Sequence, residues 1–264
     1  MPKDRHKQYI GEVRAAIGMQ PSWPPDAHRK LGDVGLFRNG QFERKGTFTT
    51  LYGVDIVPAP ARKRRSSYHC DSNGTVQIHL DAAADAGGGP VTADASLVLE
   101  FGKAYAVLFH ATGCWSEEIK NIEAVEAKML ELRADNKWKR DYVVVTEVTH
   151  AANTTVLMCK NRKDRVELKA NADPGISGLD LLTASGGLRW TGGSMASLQL
   201  LSEGKLTPLY RVRGILRHWF RDDEPGYLDD AEPEGDEAEA EWYVDEVSSQ
   251  TFDGDDKEET GGNS

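Results

Sequence analysis

The sequence predicts an α+β protein: a twisted, mostly antiparallel sheet with flanking helices, followed by an acidic C-terminal tail. Segments of alternating polarity recur along the chain without the strand–helix–strand rhythm of a parallel sheet. Helical periodicity is confined to residues 8–17 and 117–133. Beyond Asp222 the composition becomes mainly Asp, Glu, Gly and Ala, which cannot form a core of its own. We therefore predict a body over residues 1–221 and a tail over 222–264, which is either autoinhibitory or disordered.

The composition is that of a protein with a sizeable core and no membrane helix. The chain has 264 residues, 39% of them hydrophobic and 28% charged, and no run of eighteen apolar residues. Its first twenty residues contain several charges and lack the apolar stretch of a signal peptide. Three widely spaced cysteines do not form a disulfide framework. These features predict a cytoplasmic protein.

Charge is distributed very unequally along the chain. The net charge is −10, but the tail alone contains 18 acidic residues and one lysine, a net of −17, which leaves the body at +7. A basic body favours anionic partners such as phospholipid headgroups or nucleic acid. A covalently attached acidic tail competes with such partners at high effective concentration. A merely solubilising tail is the alternative.

The first elements of the body have simple local signals. Residues 8–17 place Ile10, Val13 and Ile17 on one helical face. Asn39-Gly40 then predicts a tight hairpin turn, because both central positions of that turn need φ > 0.

Strands are predicted from alternation and from apolar runs. Residues 75–81 alternate, and a second run over 97–109 is long enough to be one extended strand. We predict a helix over 117–133 capped by Ser116. Several β segments follow it: 141–148 and 154–160, which we expect to pair with each other, then 165–170, 195–201 and 207–220.

Motifs for catalysis are missing from the sequence. It has no Gly-x-Ser-x-Gly elbow, no phosphate-binding loop and no His-Glu-x-x-His or Cys-x-x-Cys motif. His110 with Cys114, and His69 with Cys70, are isolated pairs of a kind that more often serves packing than metal binding. We therefore expect no enzyme activity, no metal and no cofactor.

Three segments together resemble the gasdermins. Residues 141–148 (DYVVVTEV) match the family's "Tyr-Val-Val-Thr-Glu" strand with one extra Val, and Tyr210-Arg211-Val212-Arg213 matches its closing "Tyr-Arg-Val-Arg" strand. Residues 31–46 (LGDVGLFRNGQFERKG) resemble the first hairpin of bacterial gasdermins. The order and separation of these short motifs carry the resemblance, which covers about residues 30–220. A compact chain with a short tail also resembles the bacterial branch.

The resemblance implies a function. Gasdermins are monomeric precursors held inactive by a C-terminal segment, and a caspase-like or other protease removes it. The freed domain forms homo-oligomeric β-stranded pores in the cell's own inner membrane, as an antiviral defence in bacteria. The lipid-modified N-terminal cysteine of several bacterial members has no counterpart here, since the first cysteine is Cys70.

Candidate functional residues fall into four groups. A membrane-spanning strand needs about 9–11 residues of alternating polarity, and the alternating segments give the first group: Val76, Ile78, Leu80, Leu97, Leu99, Phe101, Tyr105, Val107, Phe109, Val166, Leu168, Leu198 and Leu200. Four basic residues are candidates for binding lipid headgroups: Arg62, Lys63, Arg64 and Arg65. The apolar island of the tail is a candidate autoinhibitory segment: Trp242, Tyr243, Val244 and Val247. The cleavage region is expected at residues 221–241, which include Arg221, Asp222, Asp223, Asp229 and Asp230.

Two alternatives come from other classes. The first is a soluble basic module for anionic partners such as nucleic acid, with the tail as competitor. Few aromatic residues lie near Arg62, Lys63, Arg64 and Arg65, which disfavours single-strand binding, and we expect no nucleic-acid partner. The second is a hydrolase without a recognisable motif.

Overall fold

The computed structural model describes residues 5–62, 67–82, 94–171, 189–193, 198–218, 241–248 and 250–251. Three helices occur in this part of the chain: α1 (Arg5–Ile17), α2 (Phe48–Tyr52) and α3 (Ile122–Ala134). The strands of the first half are β1 (Gln20–Pro21), β2 (Asp33–Arg38), β3 (Gln41–Thr47), β4 (Ser67–Cys70), β5 (Val76–Ala82), β6 (Asp94–Phe101) and β7 (Val107–Thr112). Those of the second half are β8 (Trp115–Glu118), β9 (Val143–Met158), β10 (Arg165–Asn171), β11 (Arg189–Gly193), β12 (Leu198–His218) and β13 (Glu241–Val247).

The described strands form two antiparallel sheets. In the larger, nine-stranded sheet, β9 is the central strand: β12 pairs along one side of it, and β2, β8 and β7 follow one another along the other. β3 and β4 lie outside β2 and β7, while β1 and β13 lie against β12. The smaller sheet has the order β11-β10-β6-β5. The predicted α+β class with mostly antiparallel pairing is confirmed.

The core is layered across the larger sheet. α1 packs Tyr9, Ile10 and Val13 against β4, β7 and β9. Part of the other face of β7 and β9, including Leu108 and Leu157, packs against the smaller sheet. Next to α2 and α3, a third cluster centres on Trp138, whose ring contacts those of Phe48, Tyr52 and Tyr142.

The local predictions near the N-terminus are confirmed. α1 covers the predicted helix and begins three residues earlier, at Arg5. The β2–β3 hairpin turns at Asn39 and Gly40, with φ of 51° and 77°. These elements were predictable because their signals are local.

The predicted helix over 117–133 begins too early. Ser116 is not a helix cap but lies in β8, and its hydroxyl is 3.0 Å from that of Thr149. Residues 115–118 pair with β9, so their backbone groups are used in the sheet and α3 begins at Ile122.

In the second half of the chain, two long strands were each predicted as two separate segments, which is wrong. Residues 141–148 and 154–160 do not pair with each other; β9 runs through both as one strand of 16 residues. Thr149 and Ala151 between them are buried, and no Gly or Pro is present to make a turn. The described parts of the segments 195–201 and 207–220 likewise belong to one strand, β12, which continues through its irregularities between Glu203 and Leu209.

Candidate functional site

The C-terminal strand β13 is bound to the edge of β12. Seven residue pairs connect the two strands, from Val212 opposite Val247 to His218 opposite Glu241. β9 occupies the other side of β12 up to Gly214. The described part of the tail therefore extends the larger sheet. The connecting residues 219–240 lie outside the described part of the chain.

One face of β13 packs on the side of the sheet that holds α3. Trp242 and Val244 are half-buried against the cluster that contains Ile215 and α3. The guanidinium of Arg133, in the last turn of α3, lies 4.4 Å from the centre of the Trp242 ring. A cation at this distance from an indole face is attracted by about 0.5–2 kcal/mol. The same Arg133 donates a hydrogen bond of 3.4 Å to the carbonyl of Trp138.

The other end of β13 is held by an apolar contact and an ion pair. Val247 is buried in the cluster that contains Val212 and Tyr210. Arg211 donates to the carboxylate of Glu246, and its Nε is 3.1 Å from an oxygen of the buried Glu147. Arg211 thus joins the acidic strand to the body.

The tail residues chosen from the sequence lie together on β13, but they are not equivalent. Trp242, Val244 and Val247 contact the body, whereas Tyr243 is 37% exposed. Their inhibitory role stays a prediction. Sequence reasoning missed the partners Arg133, Arg211 and Glu246. Arg211 belongs to the recognised Tyr-Arg-Val-Arg motif, but nothing in the motif specifies its partners.

The smaller sheet brings together most of the predicted membrane-inserting residues. Ile78 pairs with Leu99, which also pairs with Val166, so alternating residues of β5, β6 and β10 share one face. That face is buried against the larger sheet, and Ile78 is half-buried at its margin. The buried members are Val76, Leu97, Leu99, Phe101, Val166 and Leu168. On the opposite face Gln77, His79 and Glu100 are exposed, although Val98 is buried.

The predicted single strand over 97–109 is wrong. β6 ends at Phe101 and β7 begins at Val107, with Tyr105 between them at φ 60°. The two strands belong to different sheets. Leu97, Leu99 and Phe101 lie in the core between the sheets, whereas Val107 and Phe109 lie in the core under α1. Gly102 follows β6 at a point where a Cβ would lie 3.0 Å from the carbonyl oxygen of Thr75, and strict alternation does not reveal the turn that begins there.

Other predicted residues lie partly or wholly outside the described part. Leu80, Leu198 and Leu200 are on β5 and β12, but only their backbone is described. Arg62 is exposed, and its backbone exchanges two hydrogen bonds with Ser116. The rest of the basic cluster and the cleavage region lie outside the described residues, namely Lys63, Arg64, Arg65, Arg221, Asp222, Asp223, Asp229 and Asp230.

The histidine and cysteine pairs are part of the packed body. His69 and His110 face each other across β4 and β7, with ring centres 5.4 Å apart. Within the described ranges no three His, Cys, Asp or Glu side chains are placed to hold a metal ion. Burial raises the pKa of the Cys114 thiol to about 11, and burial also raises the pKa of Cys70 and Cys159. Thiols with raised pKa are poor nucleophiles at neutral pH.

Comparisons with known proteins give a similarity at the level of structure. No family model matches the chain, and no curated protein matches its sequence. Among solved structures, the chain is similar to a bacterial gasdermin from Bradyrhizobium tropiciagri, with 16% identity over 80% of this chain and 88% of that chain and a TM-score of 0.33. None of the helices in the described part is long and apolar enough to cross a bilayer.

Proposed function

We propose that the chain is the inactive precursor of a membrane pore-forming protein, not an enzyme. Its smaller sheet supplies the membrane-inserting strands, and its acidic tail restrains it until a caspase-like or other protease cuts the chain. The freed body then forms a homo-oligomer in the cell's own inner membrane. This proposal extends the resemblance of the three sequence motifs to gasdermins, including their antiviral role in bacteria.

The observation that carries the proposal is the amphipathic smaller sheet. In β5, β6 and β10 alternate side chains face an apolar core, and exposed polar residues occupy much of the opposite face. A strand inserted in a bilayer needs the same alternation, with one face towards lipid and the other towards water. The strands have seven, eight and seven residues. They need extension through their neighbouring segments to reach the roughly 9–11 residues that span a bilayer.

In the precursor, the apolar face of these strands is already covered. Leu108 and Leu157 of the larger sheet pack against it, so insertion requires the smaller sheet to leave this core. Exchange of a protein core for lipid keeps the apolar surface out of water, which makes such a transfer thermodynamically reasonable.

The charge distribution supports the proposed activation. The body has a net charge of +7 and the tail −17, so the chain that remains after cleavage has a net charge of +7 for a cut after Arg221 and +2 for a cut after Asp230. A cut near the start of the cleavage region therefore leaves a body that attracts anionic lipid. Asp222, Asp223, Asp229 and Asp230 offer acidic cleavage positions there, and Arg221 a basic one.

The test compares the whole chain with a chain ended after Arg221, both expressed in bacteria and added to dye-filled vesicles that contain anionic lipid. We expect the truncated chain to permeabilise cells and vesicles and the whole chain to leave both intact. A truncated chain that is folded by circular dichroism but leaves the dye inside would contradict the proposal.

A second candidate is a soluble binding module, which the basic body favours. It predicts that the truncated chain shifts DNA or RNA with a steep salt dependence and leaves the vesicles sealed. The same two samples therefore separate the candidates.

A further inference from the structure

The surface that binds β13 consists of one edge of β12 and two arginines. The edge offers backbone groups over Val212–His218. Arg133 lies under Trp242 at one end of the bound strand, and Arg211 binds Glu246 at the other. Trp242 and Glu246 are four positions apart, so they lie on the same face of the strand.

Both arginines are held in place by the body itself. Arg133 donates to the carbonyl of Trp138, and Arg211 is paired with Glu147 of β9. Neither contact involves the tail. The two cations therefore keep a defined position when the strand leaves, and a binding surface with preorganised groups loses less entropy on each binding event.

We infer that this surface is a binding site for an extended acidic peptide with an aromatic residue and, four positions later, a carboxylate. Its ligand is the chain's own 241–247 segment, which can dissociate after cleavage and bind again in trans. Peptide recognition by strand addition draws affinity from the main chain and specificity from alternate side chains. Here Trp242 with Arg133 and Glu246 with Arg211 supply that specificity.

The tether then accounts for the effect of cleavage. A covalent connection holds its ligand at a high effective concentration, which for short linkers is on the order of millimolar. A peptide with a dissociation constant between about 10 and 100 μM is therefore bound in the uncut chain and released at sub-micromolar protein concentration after the cut. Cleavage acts by removing the tether while every contact of β13 is left intact. The inhibitory consequence rests on the proposed function; the binding itself does not.

The test uses the whole chain with the substitutions Trp242→Asp and Val244→Asp, which displace β13 from β12. We call this protein the displaced-strand variant. A dye-labelled peptide of residues 239–251 is titrated against this variant and followed by fluorescence anisotropy. We expect saturable binding with a dissociation constant of tens of micromolar. Binding to the unmodified chain should be at least about tenfold weaker, because its own β13 occupies the site.

Matched peptides define the specificity. Trp242→Ala and Glu246→Lys peptides should each bind about five- to thirtyfold more weakly, whereas a Tyr243→Ala peptide should bind within about threefold of the parent. In the displaced-strand variant, adding Arg133→Ala should remove most of the difference between the parent and Trp242→Ala peptides, as expected for residues in direct contact.

Several results would overturn the inference. One is that the displaced-strand variant melts cooperatively but does not bind the peptide at concentrations up to about 1 mM. Another is that all four peptides bind this variant with equal affinity. The third is that the unmodified chain binds the parent peptide as tightly as the variant does. If the displaced-strand variant does not fold, a site for a specific protease is placed within residues 224–236 of the unmodified chain. After cutting, the tail fragment must then separate on dilution, and the cut body must bind the added peptide in its place.

Vesicle leakage separates the two proposals. Peptide binding to a displaced-strand or cut chain that never releases dye contradicts the pore-forming function and leaves the peptide site standing. Leakage that the parent peptide neither slows nor stops, without measurable binding, contradicts the peptide site and leaves the pore-forming function standing.

Discussion

Two arginines connect the C-terminal strand to the body, and neither could be chosen from the sequence. Arg133 lies in α3 and Arg211 in β12, far from Trp242 and Glu246 along the chain. The apolar island around Trp242 was visible because aromatic residues are unusual in an acidic tail. Its partners depend on which strand edge is open, and only the assembled sheet determines that.

The buried thiol of Cys114 gives a prediction about pH. Burial raises its pKa from 9.0 to about 11, so between these values the unfolded chain loses the proton and the folded chain keeps it. The free energy of unfolding should therefore decrease by roughly 1–3 kcal/mol as pH rises through this window, and it should not change on this account below pH 9.

Other groups titrate in the same range, so the measurement is a difference. Urea denaturation of the parent and of Cys114→Ala is compared at about pH 8 and pH 11, with a reductant present. The parent should lose more stability than the variant between the two pH values. An equal loss in both proteins would show that the thiol does not contribute.

At the scale of elements, alternation predicted β5, β6 and β10 of the smaller sheet, but it missed β11 and the end of β6. β5 and β10 lie within one residue of the predicted segments. The run over 97–109 divides between two sheets, because alternate residues can face two different cores on either side of a turn. Periodicity indicates that one side of a strand is apolar, but it does not identify which sheet or helix packs on that side.

A matched pair on β5 tests whether this strand enters lipid. Ile78 is half-buried on the apolar face, and the adjacent Gln77 is exposed on the opposite face. We expect Ile78→Lys to abolish dye release by the truncated chain, because a lysine on the lipid face costs about 2–4 kcal/mol near the bilayer midplane. Gln77→Lys should release dye like the parent.

The melting temperatures of both variants are measured in the whole chain as a control. Ile78 lies at the margin of the apolar face, and such a position tolerates substitution better than a fully buried residue such as Leu99. If folded Ile78→Lys releases dye at the parental rate, β5 does not insert.

At the scale of the whole molecule, the charge difference between body and tail gives a prediction about membrane binding. The body carries +7 and the whole chain −10. After removal of residues 222–264 we expect binding to vesicles with anionic lipid and little binding to zwitterionic vesicles. Binding should decrease at high salt because the Debye length shortens from about 10 Å at 0.1 M to about 3 Å at 1 M. The whole chain should bind weakly to both.

Co-sedimentation at about 0.1 M and 1 M salt measures this difference. Equal binding of the truncated chain to both kinds of vesicle at both salt concentrations would show that apolar contacts, and not charge, bring the body to the membrane.

The sequence by itself determined the α+β class, the β2–β3 hairpin, α1 and the opposite charges of body and tail, because each depends on composition or on residues close together in the chain. The tertiary structure decided that β9 and β12 are long continuous strands, that residues 97–109 divide between two sheets, and that β13 adds to the edge of β12. These features depend on backbone pairing between distant segments. A residue's own side chain carries little information about which distant strand its backbone will bond.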